Sequence, residues 1–435
     1  MKSTFFSRYN TPNLFVISSF GIYLTSFGLR FEHILVYTFL LYCILELVFL
    51  KKSKQSSILI KVSFVFIIFM AYAYLLGSLN GSNILSKYVI GQIDRFTLGF
   101  SAFFVVYYFF RNQSISFLEQ SLSGISKFLI VLCAIVSVLT IYSMLTGNVS
   151  IFSKFQPAAD ELRGNVSLRS LKMGRYTGIF GSPFESGLMY SLALFAYGYL
   201  RRINQHNFYY NTFTILIVAG GILAVSKAFI LGILLFLIFV FDFSNPKKLV
   251  SSFFGVMVLV TVTYFSIMLI APNWSGFDRL NRLLVPDQSD DVLRTYSGTR
   301  FSETGEGTIQ TRYELVVESL PFGKGFGNYG VVDNAYLEIL LIGGLLWFFL
   351  FVGMKLKLLI YFYKFKDWKG RVFFCQLMIY TVIASLGAPV ITKNRFSVVF
   401  FTFIAIALLL RRKISLLKTH SNASLNEKVT KEFVH

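Results

Sequence analysis

The sequence is poor in charge. Only 14% of its 435 residues are charged, whereas 55% are hydrophobic, and the mean hydropathy is +0.64. Apolar runs of roughly 18 or more residues recur along the whole length, and each is long enough to cross a bilayer as a helix. The alternating pattern of a membrane barrel is absent, and no leader with a small-residue cleavage site is expected. The composition therefore excludes a soluble protein and predicts an all-α polytopic membrane protein.

Cysteine and histidine are also scarce. Cys43, Cys133 and Cys375 all fall inside apolar runs, and the four histidines are scattered along the chain. Neither a disulfide framework nor the ligand spacing of a metal site can be recognised. We expect no metal and no cofactor.

The apolar runs predict about twelve spanning helices. These lie near 12–29, 33–50, 59–79, 96–110, 128–146, 184–200, 211–225, 228–243, 249–271, 333–353, 372–390 and 396–410. Short basic stretches between the runs, from Lys51 to Lys413, all fall on one side if the N-terminus is cytoplasmic. The positive-inside rule then predicts that both termini are cytoplasmic. The net charge of +20 is accounted for by this topology, and nucleic acid is not an expected partner.

The chain divides into a helical membrane domain, 1–413, and a polar cytoplasmic tail, 414–435, which is expected to be disordered. The membrane domain includes two long extracytoplasmic loops, 147–183 and 272–332, and loops of this length are usually functional. The second loop carries a predicted surface helix, 308–320, with apolar residues at helical spacing. Arginine predominates in both loops, and its planar guanidinium suits phosphate or carboxylate ligands.

Three residues around the first loop and the following spans could carry chemistry. Arg175 precedes a helix start at Pro183; it either binds an anion or reaches the interface as a snorkelling side chain. Glu185 lies one turn into that helix, as an ion-pair partner or a polar lining group. Lys227 follows Ser226 at the tip of a predicted tight hairpin, where a lysine is costly unless it meets water, headgroups or an anion.

The second loop offers further arginines. Arg312 lies beside the apolar stripe of the predicted surface helix and could face the lipid interface. Arg279, Arg282, Arg294 and Arg300 precede it, and the sequence does not rank them.

A glycine-rich stretch, 321–327, precedes the tenth predicted span. Spaced glycines can arrange backbone N–H groups around an anion, although the pattern alone is weak. Asp333 stands at the entrance of the span, as a catalytic group or simply as the helix N-cap. Tyr336 follows one turn later on the same face, and Gly343-Gly344 lies further along.

Taken in order, these segments resemble the family of O-antigen polymerases and O-antigen ligases. The resemblance covers 174–344: an arginine before a glycine-containing turn, a proline near a span start, a serine–basic hairpin tip, an arginine-bearing loop helix before Gly-x-Gly, and Asn-x-Tyr-Leu type residues opening a span with a glycine pair. Two positions depart from the pattern. The family often has arginine where Lys227 stands, and the ligases typically have histidine where Asp333 stands, which favours a polymerase.

The resemblance implies a GT-C-like glycosyltransferase bundle in the bacterial cytoplasmic membrane. The enzyme would be metal-independent and would join undecaprenyl-diphosphate-linked oligosaccharides into O-antigen or capsular polysaccharide, as in lipopolysaccharide and capsule biosynthesis. Its partners would be the lipid-linked glycan, membrane lipids and a chain-length regulator protein. The implied catalytic residues are Asp333 and Arg312; the implied substrate-binding residues are Arg175, Lys227, Tyr336, Glu185 and Arg300.

Three other functions stay open at the level of sequence. A ligase would move a finished polymer onto a lipid or protein acceptor. A flippase or transporter for lipid-linked sugars would have a similar helix count but would place polar residues deep in its spans. A sensor or scaffold would not need arginine-rich loops.

Overall fold

The computed structural model describes most of the helical part of the chain. The described ranges are 11–24, 29–49, 57–83, 86–155, 170–240, 274–277, 308–329, 334–366 and 368–432, together with the single positions 258, 261, 262, 265, 266, 269, 280 and 332.

Throughout these ranges the named elements are helices. They are α1 (Thr11–Ser18), α2 (Phe31–Phe49), α3 (Ser57–Leu79), α4 (Lys87–Phe110), α5 (Ile115–Thr146), α6 (Pro183–Arg202), α7 (Phe208–Leu223), α8 (Lys227–Val240), α9 (Thr308–Ser319), α10 (Ala335–Tyr363), α11 (Arg371–Ala384) and α12 (Asn394–Glu432). Short 3₁₀ turns occupy Ser150–Phe155 and Val390–Thr392, and one isolated bridge joins Tyr23 to Arg30.

Four of the described helices, α3, α4, α5 and α10, are long and apolar enough to cross a membrane. Helices α7, α8 and α11 are apolar but shorter. The predicted all-helical, membrane-type architecture is therefore confirmed in the described part of the chain, whereas twelve crossings remain a prediction.

Polar caps set where several helices begin. The side chains of Ser86, Ser114, Ser182 and Asn207 each accept a hydrogen bond from the backbone N–H three residues later. Each cap satisfies an N–H that would otherwise lack a partner at the helix start. Two of them explain why α4 and α5 begin well before their apolar runs, at residues 87 and 115 instead of the predicted 96 and 128.

Other boundaries also differ from the prediction. Helix α1 ends at Ser18 instead of residue 29, and the hydroxyl groups of Ser18 and Ser19 both bond back to the Phe15 carbonyl, at 2.9 and 2.8 Å. Helix α12 continues to Glu432, so the tail expected to be disordered is helical over most of its length. The predicted span 249–271 lies almost entirely outside the described residues.

Small residues let the helices approach closely. Helix α12 packs along α4, where a side chain at Gly99 would overlap Phe401. Helix α6 packs against α8, where a side chain at Gly232 would overlap Ser191. Such small-residue contacts are typical of helix packing in membranes, because lipid tails offer no hydrophobic drive to associate.

Helix α10 doubles back on itself at Gly344. This residue has φ 70° and ψ −163°, a conformation essentially restricted to glycine. The Tyr336 ring lies 6.1 Å from the Phe351 ring and 5.1 Å from the Lys355 ammonium. In a straight helix residues 336 and 355 would be about 28 Å apart. Residues 335–343 thus form a short arm, and residues 345–363 alone are about 28 Å long, enough for one crossing.

The glycine-rich stretch 321–327 closes the bend. Lys324 and Gly325 donate their backbone N–H groups to the carbonyls of Leu341 and Ile342, at 2.6 and 3.2 Å, and Leu345 donates to the Pro321 carbonyl at 2.9 Å. A side chain on Gly344 would overlap that carbonyl. The two glycine motifs are therefore one structural unit, in which backbone packs directly on backbone.

We expect Gly344→Ala to lower the stability of the full chain by about 1–3 kcal/mol or more, because it forces a side chain into a glycine-only conformation and into a carbonyl oxygen. Gly353→Ala is the matched control, since Gly353 is exposed on the same helix with nothing within 4 Å of an added Cβ. Thermal unfolding in detergent measures both. Equal melting temperatures for the two variants would contradict the bend.

Candidate functional site

The structure brings Arg175 to the turn between α7 and α8. Its Nη2 donates to the carbonyl of Val225 at 2.9 Å, and the neighbouring Tyr176 N–H donates to the carbonyl of Leu223 at 3.0 Å. Lys227, exposed at the first residue of α8, stands beside this turn. The predicted break between two helices is confirmed, but α7 and α8 pack on α6 and hardly on each other, so the tight hairpin is not. Two of the predicted cations lie at this turn, where the N-terminus of α8 adds positive potential.

A turn from the second loop holds the segment that carries Arg175. The Arg175 N–H donates to the Ser170 carbonyl at 2.8 Å, and Gly174 adopts φ 70°. The indole N–H of Trp274 donates to the Gly174 carbonyl, and a side chain on Gly174 would overlap Gly276. The two loops therefore meet beneath Arg175. Partial burial here raises the pKa of the Tyr176 phenol.

Glu185 points back over the start of α6. Its Oε2 accepts from the Gly181 N–H at 3.0 Å, and the carboxylate is buried. It is also close enough to act electrostatically on Arg30 and Arg395. Its two predicted roles, ion-pair partner and polar lining group, remain predictions.

A buried cluster of charges surrounds these cations. Arg30 Nε lies 2.8 Å from Glu32 Oε1, and His33 Nε2 lies 2.9 Å from Asp94 Oδ2. Tyr37 donates to the other Asp94 oxygen at 2.7 Å. The Arg30 N–H donates to His33 Nδ1 at 3.2 Å, which assigns the proton to Nε2 and makes the imidazole neutral.

Arg395, at the start of α12, completes the cluster. Its side chain is 0% exposed, and its Nη2 donates to the Phe155 carbonyl at 2.8 Å. In the part of the chain that the structure describes, its Nε and Nη1 have no hydrogen-bond acceptor. We define the charge cluster as Arg30, Glu32, His33, Asp94, Glu185 and Arg395. With His33 neutral, three carboxylates face two guanidinium groups. Burial tends to lower the pKa of Arg30, but the nearby acids, led by Glu32, outweigh it and raise that pKa.

Sequence reasoning missed most of this cluster. Arg30, Asp94 and Arg395 each stand within a few residues of the start of an apolar run, and the sequence motifs did not include them. Charged groups beside apolar runs are costly and therefore merit attention as functional candidates. That signal was present in the sequence.

Asn334, instead of Asp333, caps α10. Its Oδ1 accepts from the N–H groups of Tyr336 and Leu337 at 2.9 and 3.1 Å, and its Nδ2 donates to the Leu386 carbonyl at 3.0 Å. The alternative reading of Asp333 as the N-cap was therefore wrong by one residue.

The other predicted site residues are placed as follows. The Tyr336 hydroxyl donates to the Val382 carbonyl at 2.8 Å and so ties α10 to α11. Arg312 lies on α9, and this predicted helix is confirmed. Asp333 and Arg300 lie outside the described residues. Their chemical roles, like that of Tyr336, remain predictions.

The expectation that 321–327 cradles an anion is wrong. The N–H groups of Gly323, Lys324, Gly325, Phe326 and Gly327 donate to Ser319, Leu341, Ile342, Ala73 and Gln92, respectively. All five donors are used within the protein, so the glycines here serve close packing.

Lys355 is a further buried cation. It was grouped with the cytoplasmic basic residues, but it lies inside α10, 3% exposed. Its ammonium donates to Ser385 Oγ at 2.7 Å and lies 4.4 Å from the Phe351 ring centroid. No carboxylate pairs with it in the described part of the chain. The helix continues past the predicted span end, and this places Lys355 in the interior.

The connection between α11 and α12 links these features. The Ser385 carbonyl accepts from the Ala335 N–H at 2.9 Å, and Thr392 donates to Glu338 at 3.5 Å. On α11, the Tyr380 hydroxyl donates to the carbonyl of Ala228, next to Lys227, at 3.0 Å. The start of α10 and Arg395 thus lie at this connection, and the residue after Lys227 contacts α11 shortly before the connection begins.

Comparison with known proteins identifies no relative: no family model, no curated protein and no solved structure matches this chain. Among the described residues, no group of three or more histidine, cysteine, aspartate or glutamate side chains could hold a metal ion. Function must therefore be argued from the site.

We expect Arg395→Gln to destabilise the protein by about 1–3 kcal/mol, because it leaves three carboxylates facing one guanidinium group, and Glu32→Gln to destabilise it by a similar amount, because it removes the charged partner of buried Arg30. The double variant restores the balance and should cost about 0.5–3 kcal/mol less than the sum. Thermal unfolding in detergent tests this coupling.

Lys324→Gln is the control for that cycle. Lys324 lies 3.4 Å from Glu318, whose side chain is largely exposed, and exposed ion pairs contribute little to stability. Strict additivity of the two cluster substitutions would show that Arg395 and Glu32 do not share one charge balance.

Proposed function

We propose that the protein polymerises polyprenyl-diphosphate-linked oligosaccharides on the outer face of the bacterial cytoplasmic membrane, as a multi-pass GT-C-like glycosyltransferase of about twelve spans. The observation that carries the proposal is the contact of Arg175 with the turn before Lys227, together with the contacts of α11 with Ala228 and of the α11–α12 connection with the start of α10. These are segments on which the resemblance to O-antigen polymerases rests. They are far apart in sequence, and the fold gathers them.

The distribution of basic residues supports an outer position. Helix α6 runs from Pro183 to Arg201 and Arg202 in its last turn. Helix α12 leads from Arg395 towards Arg411 and Arg412. The candidate site therefore lies at the end opposite these basic pairs, which the positive-inside rule assigns to the cytoplasm.

The proposed chemistry is a direct displacement at the anomeric carbon of the donor sugar. The bond from that carbon to the diphosphate oxygen breaks, and its electron pair leaves with the diphosphate. A hydroxyl group of another lipid-linked unit forms the new bond and gives up its proton, with inversion of the anomeric configuration. Fixed cations stabilise the growing negative charge in the transition state more than in the ground state.

The residues proposed for these roles come from both loops and from the helix starts beside them. Three cations would bind the diphosphate and stabilise its charge: Arg175, which is held by the Val225 carbonyl, Lys227 and Arg312. Asp333 would accept the proton or orient the hydroxyl group. Glu185, Tyr336 and Arg300 would contribute to substrate binding. Arg175 is the best supported of these, because two backbone contacts fix its segment on the turn between α7 and α8.

A transporter for the same lipid-linked sugars is the second candidate. Lys355 favours it, because a buried lysine inside an apolar helix is the kind of deep polar group that a transport path uses. A ligase would use the same donor and differ only in its acceptor.

The first test is reconstitution of the full chain in nanodiscs with its own lipid-linked repeat unit. A glycan ladder without other enzymes or nucleotide is the expected result. Arg175→Ala and Arg312→Ala should each reduce ladder formation by roughly 100-fold, since each removes a charge that stabilises the transition state. Arg201→Ala, at the opposite end of α6, should leave the ladder unchanged.

Two results would overturn the proposal. An unchanged ladder in Arg175→Ala would remove that residue from the reaction. Absence of a ladder, combined with movement of labelled lipid-linked sugar across a vesicle membrane and loss of that movement in Lys355→Met, would place the protein among transporters.

A further inference from the structure

The charge cluster contains both donors and acceptors that the protein itself leaves unmatched. Among the described residues, Arg395 Nε and Nη1 have no acceptor. Glu32 Oε1 forms an ion pair with Arg30 Nε at 2.8 Å, but neither Glu32 oxygen accepts a hydrogen bond of good geometry there. Buried polar atoms are nearly always hydrogen-bonded, and leaving them unmatched is costly. Such a cost in one place points to a function for the unmatched groups.

Tyr23 forms a cover over the two guanidinium groups. Its ring centroid lies 5.4 Å from the Arg30 guanidinium carbon and 5.9 Å from that of Arg395. Tyr23 is itself partly exposed. It stands in the α1–α2 connection, bridged to Arg30, where Leu24 also donates to the Leu29 carbonyl at 2.8 Å. One partly exposed ring therefore lies against both buried guanidinium groups.

The charge balance selects the kind of ligand. With three carboxylates and two guanidinium groups, the cluster would repel a diphosphate. A hydroxyl group is both a donor and an acceptor, so it can donate to a carboxylate and accept from Arg395 at once. Several hydroxyl groups on one ring would match the mixture found here. Neutral sugars have this chemistry, and an aromatic ring such as that of Tyr23 offers them an apolar face.

We infer that the charge cluster beneath Tyr23 is a saccharide site, which binds the hydroxyl groups of the substrate's sugar while the diphosphate is bound elsewhere, at Arg175 and Lys227. This inference rests on the proposed function for its substrate. It assigns a role to Tyr23, Glu32 and Arg395, which the motif-bearing segments do not include.

The experiment measures lipid binding to the full chain in nanodiscs with two probes. One is undecaprenyl diphosphate without sugar; the other is the lipid-linked repeat unit extracted from cells that lack this protein. Tyr23→Leu and Arg395→Gln should weaken binding of the sugar-bearing lipid by roughly tenfold or more, and binding of the sugar-free lipid by less than about twofold. Tyr23→Phe, which keeps the ring, should bind both lipids as the wild type does.

Tyr23→Leu keeps the test valid if Arg395→Gln fails to fold, because Tyr23 is partly exposed and its replacement should leave the protein folded. Thermal unfolding shows whether each variant is folded. If the substitutions weakened the binding of both lipids equally, the cluster would bind the diphosphate and not the sugar, and the inference would be overturned. Unchanged binding in the folded Tyr23→Leu variant would show a purely structural cluster and overturn it too.

These outcomes separate the inference from the proposed function. Sugar-dependent binding that needs Tyr23, in a protein that forms no ladder, would retain the saccharide site and reject the polymerase. A ladder that is unaffected by Tyr23→Leu would retain the polymerase and reject the saccharide site.

Discussion

The need to balance two buried guanidinium groups determines how the helix ends are arranged. Arg30 precedes α2, Asp94 lies on α4, Glu185 on α6 and Arg395 on α12. In apolar surroundings an uncompensated charge is costly, so these four helices must bring their acids and bases to one level. The ends that meet there are those that also carry Arg175 and the turn between α7 and α8. A constraint on stability thereby creates the polar end on which a reaction could occur.

The second constraint is backbone packing at glycine. Gly344 reverses α10, and the stretch 321–327 fills the bend with its own backbone. Because α10 turns back, its first residues reach the end of α11. There the Asn334 side chain donates to the Leu386 carbonyl, and the Ala335 N–H donates to the Ser385 carbonyl. The entrance of α10, where the resemblance places a catalytic group, is thus positioned by a bend some ten residues later, about 15 Å along the helix.

Hydropathy predicted the helices, the break between α7 and α8, and the helix α9, because each follows from the length and period of an apolar run. It could not predict the reversal of α10, since a run of apolar residues looks the same whether straight or folded. The glycines at 321–327 and 343–344 marked the place, but a glycine pattern does not show whether a ligand or another backbone approaches. Arg175 and Lys227 were found through motif order. Arg395 was missed because a lone charge at the edge of a run usually only ends it.

The charge cluster also bears on why a membrane protein retains such groups. Well-packed apolar residues of similar volume are often as stabilising as a buried ion cluster, so stability alone does not account for Arg30, Glu32 and Arg395. A purely structural cluster would be expected to match its own donors and acceptors, as His33, Asp94 and Tyr37 do here. Arg395 does not match its donors in this way, although His33, Asp94 and Tyr37 in the same region do. Arg395, whose Nε and Nη1 have no acceptor among the described residues, lies beneath Tyr23, whereas His33 and Tyr37 bond Asp94 and so join α2 to α4. One part of the cluster thus holds helices together, and the part at Arg395 is the one we infer to bind a ligand.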